Sequence, residues 1–247
     1  MTIDSDDDLR GMRAAARVVA EALAAARAVV RPGITTLMLD AVVAEVFREH
    51  GARSAPELLY GFPGHACISL NDAAVHGIPD RTPIRAGDLV TIDVTAELGG
   101  YIADAAMTVP MAKASGVKRR LASAAHDALD RALGVATAGA TLRELGSSVE
   151  NEVRRHGFTV LREVGGHGVG RAIHEKPSVP NWDDPSARGV LHEGLVIAVE
   201  PIIAAGARTL IEDADGWTLR TSDASPSAHA EHTIVVTSGA PIVLTAA

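Results

Sequence analysis

The sequence predicts an α/β (α+β) fold made of two pseudo-twofold-related helix–helix–strand halves with a central metal site. Three observations lead there. The chain matches itself at an offset of 106 positions, each copy passes from helical periodicity to strand composition, and three apolar strand-like runs each carry a carboxylate at one end. Asp93 ends the run Leu89-Val90-Thr91-Ile92, Glu200 ends Leu195-Val196-Ile197-Ala198-Val199, and Glu231 precedes Thr233-Ile234-Val235-Val236. A carboxylate at the buried end of a strand is costly unless a cation or a donor compensates it. Three such strands point to a shared metal.

The repeat is gapless. Gly33 matches Gly139, Thr35 matches Thr141, and Arg48-x-His50-Gly51 matches Arg154-x-His156-Gly157. In each copy an Ala-rich amphipathic helix, about 9–30 and 117–137, runs to a glycine turn. Thr35 and Thr141 then serve as N-caps of a second helix, which stops at Gly51 or Gly157 as its C-cap. Strand composition follows at 66–70, 89–95, 101–109, 195–204, 230–237 and 241–245, with prolines between. The chain reads as one catalytic domain, 1–247, with half-units at about 9–112 and 113–247.

Bulk properties exclude several classes. A net charge of −8 argues against wholesale binding of nucleic acid or anionic membrane. The basic cluster Lys113, Lys118, Arg119 and Arg120 reads first as a solvated helix start and second as a weak ribosome or RNA contact. The single cysteine, Cys67, rules out an internal disulfide and a thiolate-rich zinc site. The acidic stretch Asp4–Asp8 is the opposite of a signal peptide, and charged residues interrupt the Ala-rich stretch after it, so a cytoplasmic setting is expected. Only 3% of residues are aromatic, and Tyr60, Phe62, Tyr101 and Trp217 fall near the candidate site residues in the chain.

Asp93 and Asp104 flank a hairpin. A two-residue turn at Leu98-Gly99 places them directly opposite each other, where two ionised carboxylates repel unless a cation lies between them. Gly165-Gly166-His167-Gly168-Val169-Gly170 fails the dinucleotide fingerprint, because Arg171 stands where glycine is required. Its glycines instead allow close approach to His167. His174 follows seven residues later, and His76 sits in a tight loop before Gly77-Ile78-Pro79. His229 and His232 read as surface or supporting residues rather than ligands. One histidine with four carboxylates is a hard ligand set suited to two divalent Mn, Fe, Co or Zn ions, and hydrolysis of an amide or ester is its natural use.

These segments, in this order and spacing, resemble a type I methionine aminopeptidase of the pita-bread metallopeptidase family. The resemblance rests on Cys67–Asp72, His76–Asp80, Gly87–Val94, Gly166–Arg171 with His174–Pro177, Glu200-Pro201, Asp215–Thr218 and Ala230–Thr233. It implies removal of initiator methionine from nascent chains with a small second residue. It implies Asp93, Asp104, His167, Glu200 and Glu231 as ligands of two divalent ions, with Asp104 and Glu231 bridging and Glu200 also shuttling the proton. His174 would donate to the developing oxyanion and His76 would contact the scissile nitrogen. Phe62, Cys67, Trp217, Leu59 and Ile173 would form the methionine pocket, and Asn71, Ala73 and Ser227 would offer oxygens to one monovalent cation. The implied partners are nascent-peptide N-termini, with a transient ribosome contact, for a monomer that binds neither membrane nor specific nucleic acid.

The chain departs from the family pattern at Ala105-Ala106-Met107, where hydroxyl and basic residues are usual, and at Ile102, Leu59 and Ile173. Two rivals stand beside the main reading. One is an X-Pro aminopeptidase or dipeptidase on the same fold, which usually carries an added N-terminal domain. The other is a non-catalytic pita-bread peptide-binding module, which would be expected to have lost ligands that this chain keeps.

Overall fold

Helix α1 (Asp6–Val29) begins where the Ser5 side chain accepts from Asp8 N, with Asp6, Asp7 and Asp8 favouring the positive helix start. Its buried stripe, Met12, Ala15, Val19, Ala22 and Ala26, has helical spacing. Helix α2 (Thr36–His50) is capped by Thr35, which accepts from Met38 N, and ends at left-handed Gly51. A short α3 (Ala55–Tyr60), absent from the sequence reading, starts at a Ser54 cap with proline in its first turn. Helix α4 (Gly116–Leu133) stops four residues before its expected end, where Gly134 interrupts it. Helix α5 (Leu142–Arg155) opens on a capping box between Thr141 and Glu144. Its C-cap is His156 rather than the expected Gly157, which takes the positive φ just beyond. The structure, a computed structural model, describes residues 1–246, and the last residue of the expected domain, Ala247, lies outside the described residues.

The two helix pairs cover different cores. Helices α1 and α2 pack with the hairpin Leu89–Leu98/Tyr101–Pro110 around Met12, Leu39, Val43 and Ile92. Helices α4 and α5 pack around Leu121, Leu129, Leu145 and Ile197. The second pair lies against the three-stranded sheet ordered Ser227–His229, Ile202–Ala204 and Thr159–Val160, and reaches the five-stranded sheet ordered Ile242–Val243, His232–Val235, Val196–Val199, Gly166–Gly168 and Glu175–Val179. Among the described residues no helix is long and apolar enough to cross a membrane. Within the basic cluster, the Lys118 ammonium donates to Asn71 Oδ1 at 2.6 Å and to the Gly87 carbonyl at 2.8 Å, so it ties the helix start to the first half.

One expected strand is broken and another is shortened. The run 195–204 divides into Val196–Val199 and Ile202–Ala204, and the run 230–237 keeps only His232–Val235, preceded by a separate strand Ser227–His229. Pro201 has no N–H to donate and interrupts the first run. The register survives the break. Val199 pairs with His232 and Ile202 pairs with His229, so Glu200 and Glu231 stand opposite each other in the gap.

Candidate metal centre

The first half contributes its two aspartates from adjacent strands, in a different register from the one expected. Leu98 pairs with Tyr101, and the turn is Gly99-Gly100, both with positive φ (60° and 82°). Two left-handed residues match the twist of a two-residue hairpin, and glycine adopts them without penalty. The register is therefore displaced by two residues. Asp93 pairs with Ala106, and Asp104 pairs with Thr95. A shift of two preserves the face, so the aspartates remain diagonal neighbours on one side of the hairpin. Thr95 Oγ1 donates to Asp104 Oδ1 at 2.9 Å, and Asp104 N donates to Thr233 Oγ1 at 2.9 Å.

The second half contributes Glu200 and Glu231 from the paired strand gap. Glu231 N donates to the Ala106 carbonyl at 2.9 Å, which stitches the two halves together beside the site. Asn181 Nδ2 donates to the Glu200 carbonyl at 2.8 Å. His167 lies on the strand next to Val196–Val199, paired with Ala198. A Cβ on Gly166 would lie 2.3 Å from the Ala198 carbonyl oxygen, and one on Gly168 the same distance from that of Lys176. Glycine on both sides of His167 is thus what lets these strands close. His167 Nδ1 lies 3.0 Å from the Gly168 carbonyl, which accepts its proton and leaves Nε2 aimed at Glu200 Oε1, 3.3 Å away.

The electrostatics are severe. Burial, then Asp104 and Glu200, push Asp93 well above the carboxylate range, and burial raises Asp104 to about 7. Burial and Asp104 raise Glu200, while burial and the other three carboxylates raise Glu231. Burial holds His167 down to about 4 and His229 down to about 3, so both are neutral imidazoles near neutral pH. Asp104, His167 and Glu231 offer ligand atoms all within 4.8 Å of one another. Four crowded carboxylates, a neutral imidazole with a free Nε2 and an unpartnered Glu231 Oε1 form a donor set that fits divalent cations.

This cluster lines a cavity of about 450 Å³. Phe62, Cys67, Ile173 and Trp217 line it, and Phe62 meets Trp217 edge to face at 5.3 Å. Burial first, then the nearby carboxylates, push the Cys67 thiol well up, so it stays protonated. Leu59 does not line the cavity. From helix α3, Pro56 and Tyr60 reach the cavity at i, i+4 spacing, Tyr60 at its open mouth, and Leu59 points off that line. Tyr101 is drawn away to Arg171, whose guanidinium lies 3.7 Å from its ring centroid.

His76 and His174 both line the cavity, and desolvation in the cleft holds each imidazole below its usual range, His174 adding to the effect on His76. His76 has a left-handed backbone, φ 59°, a strained conformation for a non-glycine residue. Tyr60, given no role by the sequence reading, places its hydroxyl 2.9 Å from His174 Nδ1. Asn71, Ala73 and Ser227 come together, with Ser227 Oγ donating to the carbonyls of Asn71 (3.1 Å) and Ala73 (3.2 Å). His232 is half-buried, its Nδ1 2.9 Å from Thr245 Oγ1, as a supporting residue would be. His229 departs from a surface role. It is 2% exposed and faces Glu200 and Glu231. Its position two residues before Glu231 on an alternating strand was the signal that could have found it.

A fold of paired helix–helix–strand halves enclosing a carboxylate-rich centre defines a class of metal-dependent hydrolase. The chain belongs to metallopeptidase family M24, whose family model matches residues 10–238. It is 41% identical to methionine aminopeptidase 2 of Bacillus subtilis over 99% of both chains. The solved methionine aminopeptidase of Thermotoga maritima superimposes with a TM-score of 0.96 at 32% identity, covering all of both chains. That of Rickettsia prowazekii gives 0.94 at 36% identity, again over all of both chains. The pita-bread fold of the family is therefore the fold of this chain.

Proposed function

We propose that this chain is a metallo-aminopeptidase that removes the N-terminal methionine from peptides whose second residue is small. The observation that carries the reading is the cluster of Asp93, Asp104, His167, Glu200 and Glu231, all but Asp93 buried, in a cavity walled by Phe62, Cys67 and Trp217. Full-length likeness to methionine aminopeptidases supports it.

Those five residues would hold two divalent ions, Co, Mn, Fe or Zn, with Asp104 and Glu231 between them. When bound, such ions polarise the scissile carbonyl and make water nucleophilic near neutral pH. Glu200 accepts the proton of the attacking water and delivers it to the leaving amine as the C–N bond breaks. His174, its Nδ1 engaged by Tyr60, donates from Nε2 to the oxygen on which charge develops. His76 contacts the scissile nitrogen. The apolar pocket of Phe62, Cys67, Trp217 and Ile173 receives the methionine side chain and fixes the reacting bond against the cluster.

A monovalent cation held by oxygens of Asn71, Ala73 and Ser227 would brace the loop leading to His76. Nascent-chain N-termini, met in the cytoplasm by a monomer during a transient ribosome contact, are the partners this reading gives. Mass spectrometry of Met-Ala-Ser and Ala-Pro peptides incubated with the metal-supplied protein tests it. Loss of methionine from the first peptide alone supports the reading, and cleavage of the second alone replaces it with an X-Pro peptidase.

A further inference from the structure

His229 is the most constrained polar group that the five-residue ligand set leaves unused. It is 2% exposed, and neither ring nitrogen has a hydrogen-bond partner. Burying an imidazole with both nitrogens unsatisfied is costly, so a native structure holding one there implies a partner for at least one of them. The backbone around it is firmly fixed. Thr108 Oγ1 accepts from His229 N at 2.8 Å and donates to the His229 carbonyl at 2.9 Å. His229 pairs with Ile202, which places it on the same strand face as Glu231 and diagonal to Glu200.

Its Nε2 lies 3.5 Å from Glu200 Oε2 and 3.6 Å from Glu231 Oε2. These separations exceed the ~2.7–3.2 Å of an N–H···O hydrogen bond. They fall at the upper end of the ~3.0–3.6 Å spacing between neighbouring ligands that follows from metal–nitrogen and metal–oxygen bonds of about 2.0–2.2 Å. His167 Nε2 stands in the same relation to the other oxygen of Glu200, at 3.3 Å. One carboxylate is thus flanked by two imidazole nitrogens at coordination spacing.

We infer that His229 is a sixth protein ligand of the centre, supplying through Nε2 a second imidazole to the ion that His167, Glu200 and Glu231 hold. The inference rests on the metal-centre reading above and adds to it. A site with two imidazoles is softer than one with a single imidazole among carboxylates. It shifts preference toward Zn, Co and Fe and away from Mn and Mg. The Cys67 thiol, held protonated, does not compete for the ion.

Proton NMR of the Co(II)-loaded protein, with histidine imidazoles labelled with nitrogen-15, tests it. Each ligating imidazole contributes one strongly contact-shifted, solvent-exchangeable ring N–H. Two such signals are expected in the native protein, one in His229→Gln and one in His167→Gln. A single signal in the native protein overturns the inference while leaving the metal centre intact. Absence of Co(II) uptake overturns both. The native count decides the matter even where a variant fails to fold.

Discussion

The hydroxyl of Tyr60 stands 2.9 Å from Nδ1 of His174, and the two rings stack with centroids 5.9 Å apart. With the hydroxyl as donor to Nδ1, the proton of the neutral imidazole stays on Nε2, the nitrogen that donates in the proposed mechanism. Tyr60→Phe removes that constraint alone. Loss of one hydrogen bond of about 0.5–1.5 kcal/mol corresponds to a fall in kcat of roughly 2–12-fold. KM and metal content should hold steady in steady-state kinetics and elemental analysis.

On the proposed assignment, Asp104→Ala and Glu231→Ala each remove a group that would lie between two ions and leave the remaining carboxylates facing one another. Both variants should lose at least one metal equivalent and nearly all turnover. Full metal content with near-native kcat would show that neither residue bridges.

His174→Ala and His76→Ala should behave differently. Both residues line the cleft without joining the carboxylate cluster, so metal stoichiometry should be unchanged. Rates should fall by roughly 10²–10⁴-fold, the range for a lost acid–base group or oxyanion donor. Metal loss from the His174 variant would mean that it is a ligand.

The helices, the cap residues Thr35 and Thr141, and the ends of the hairpin were legible in the sequence because periodicity and capping are local signals. The hairpin register was not. It turned on which glycine pair forms the turn, and Gly99-Gly100 prevailed over Leu98-Gly99 because both turn positions need positive φ. Leu59 was misplaced for want of α3, a six-residue helix too short to show a period. His229 was undervalued because a histidine close to Glu231 in sequence says nothing of burial. The break at Pro201, where Glu200 and Glu231 come to face each other, was not legible either, because composition alone makes 195–204 one strand and the pairing across the gap is a tertiary contact.

Stability of the metal-free protein should depend on pH in a set direction. Asp104 is raised to about 7 in the fold from an ordinary value of 3.8, and burial and mutual repulsion raise Asp93, Glu200 and Glu231 well above the carboxylate range too. Between those values the folded state holds protons that the unfolded chain has released, so stability falls as pH rises. The site histidines are shifted the other way, and their contribution is complete by about pH 6.5, the unperturbed histidine value. From pH 6.5 to 8 the stability of the metal-free protein should therefore decline, by at most ~1.4 kcal/mol per pH unit for each carboxylate, and Tm should fall with it. Saturating Co(II) or Zn(II) should abolish the decline. A metal-free Tm that rises over this interval would contradict the assigned shifts.

Ile173 is 3% exposed and lines the cavity with an aliphatic side chain. Methionine sulfur gains about 0.3–1.5 kcal/mol from an aromatic contact, so Ile173→Phe should sharpen the preference for methionine over norleucine by roughly 2–12-fold in kcat/KM. An unchanged ratio would show that residue 173 does not touch the substrate side chain.

The central claim is that Asp93, Asp104, His167, Glu200 and Glu231 form one divalent-metal centre on which methionine release depends. Methionine release from Met-Ala-Ser, followed while chelator-treated protein is titrated with Co(II), tests it most directly. Activity should be absent without metal and should rise to a plateau by two equivalents in the native protein, with Asp104→Ala and Glu231→Ala inactive at every ratio. Full activity in the chelated protein, or equal activity in either variant, would contradict it.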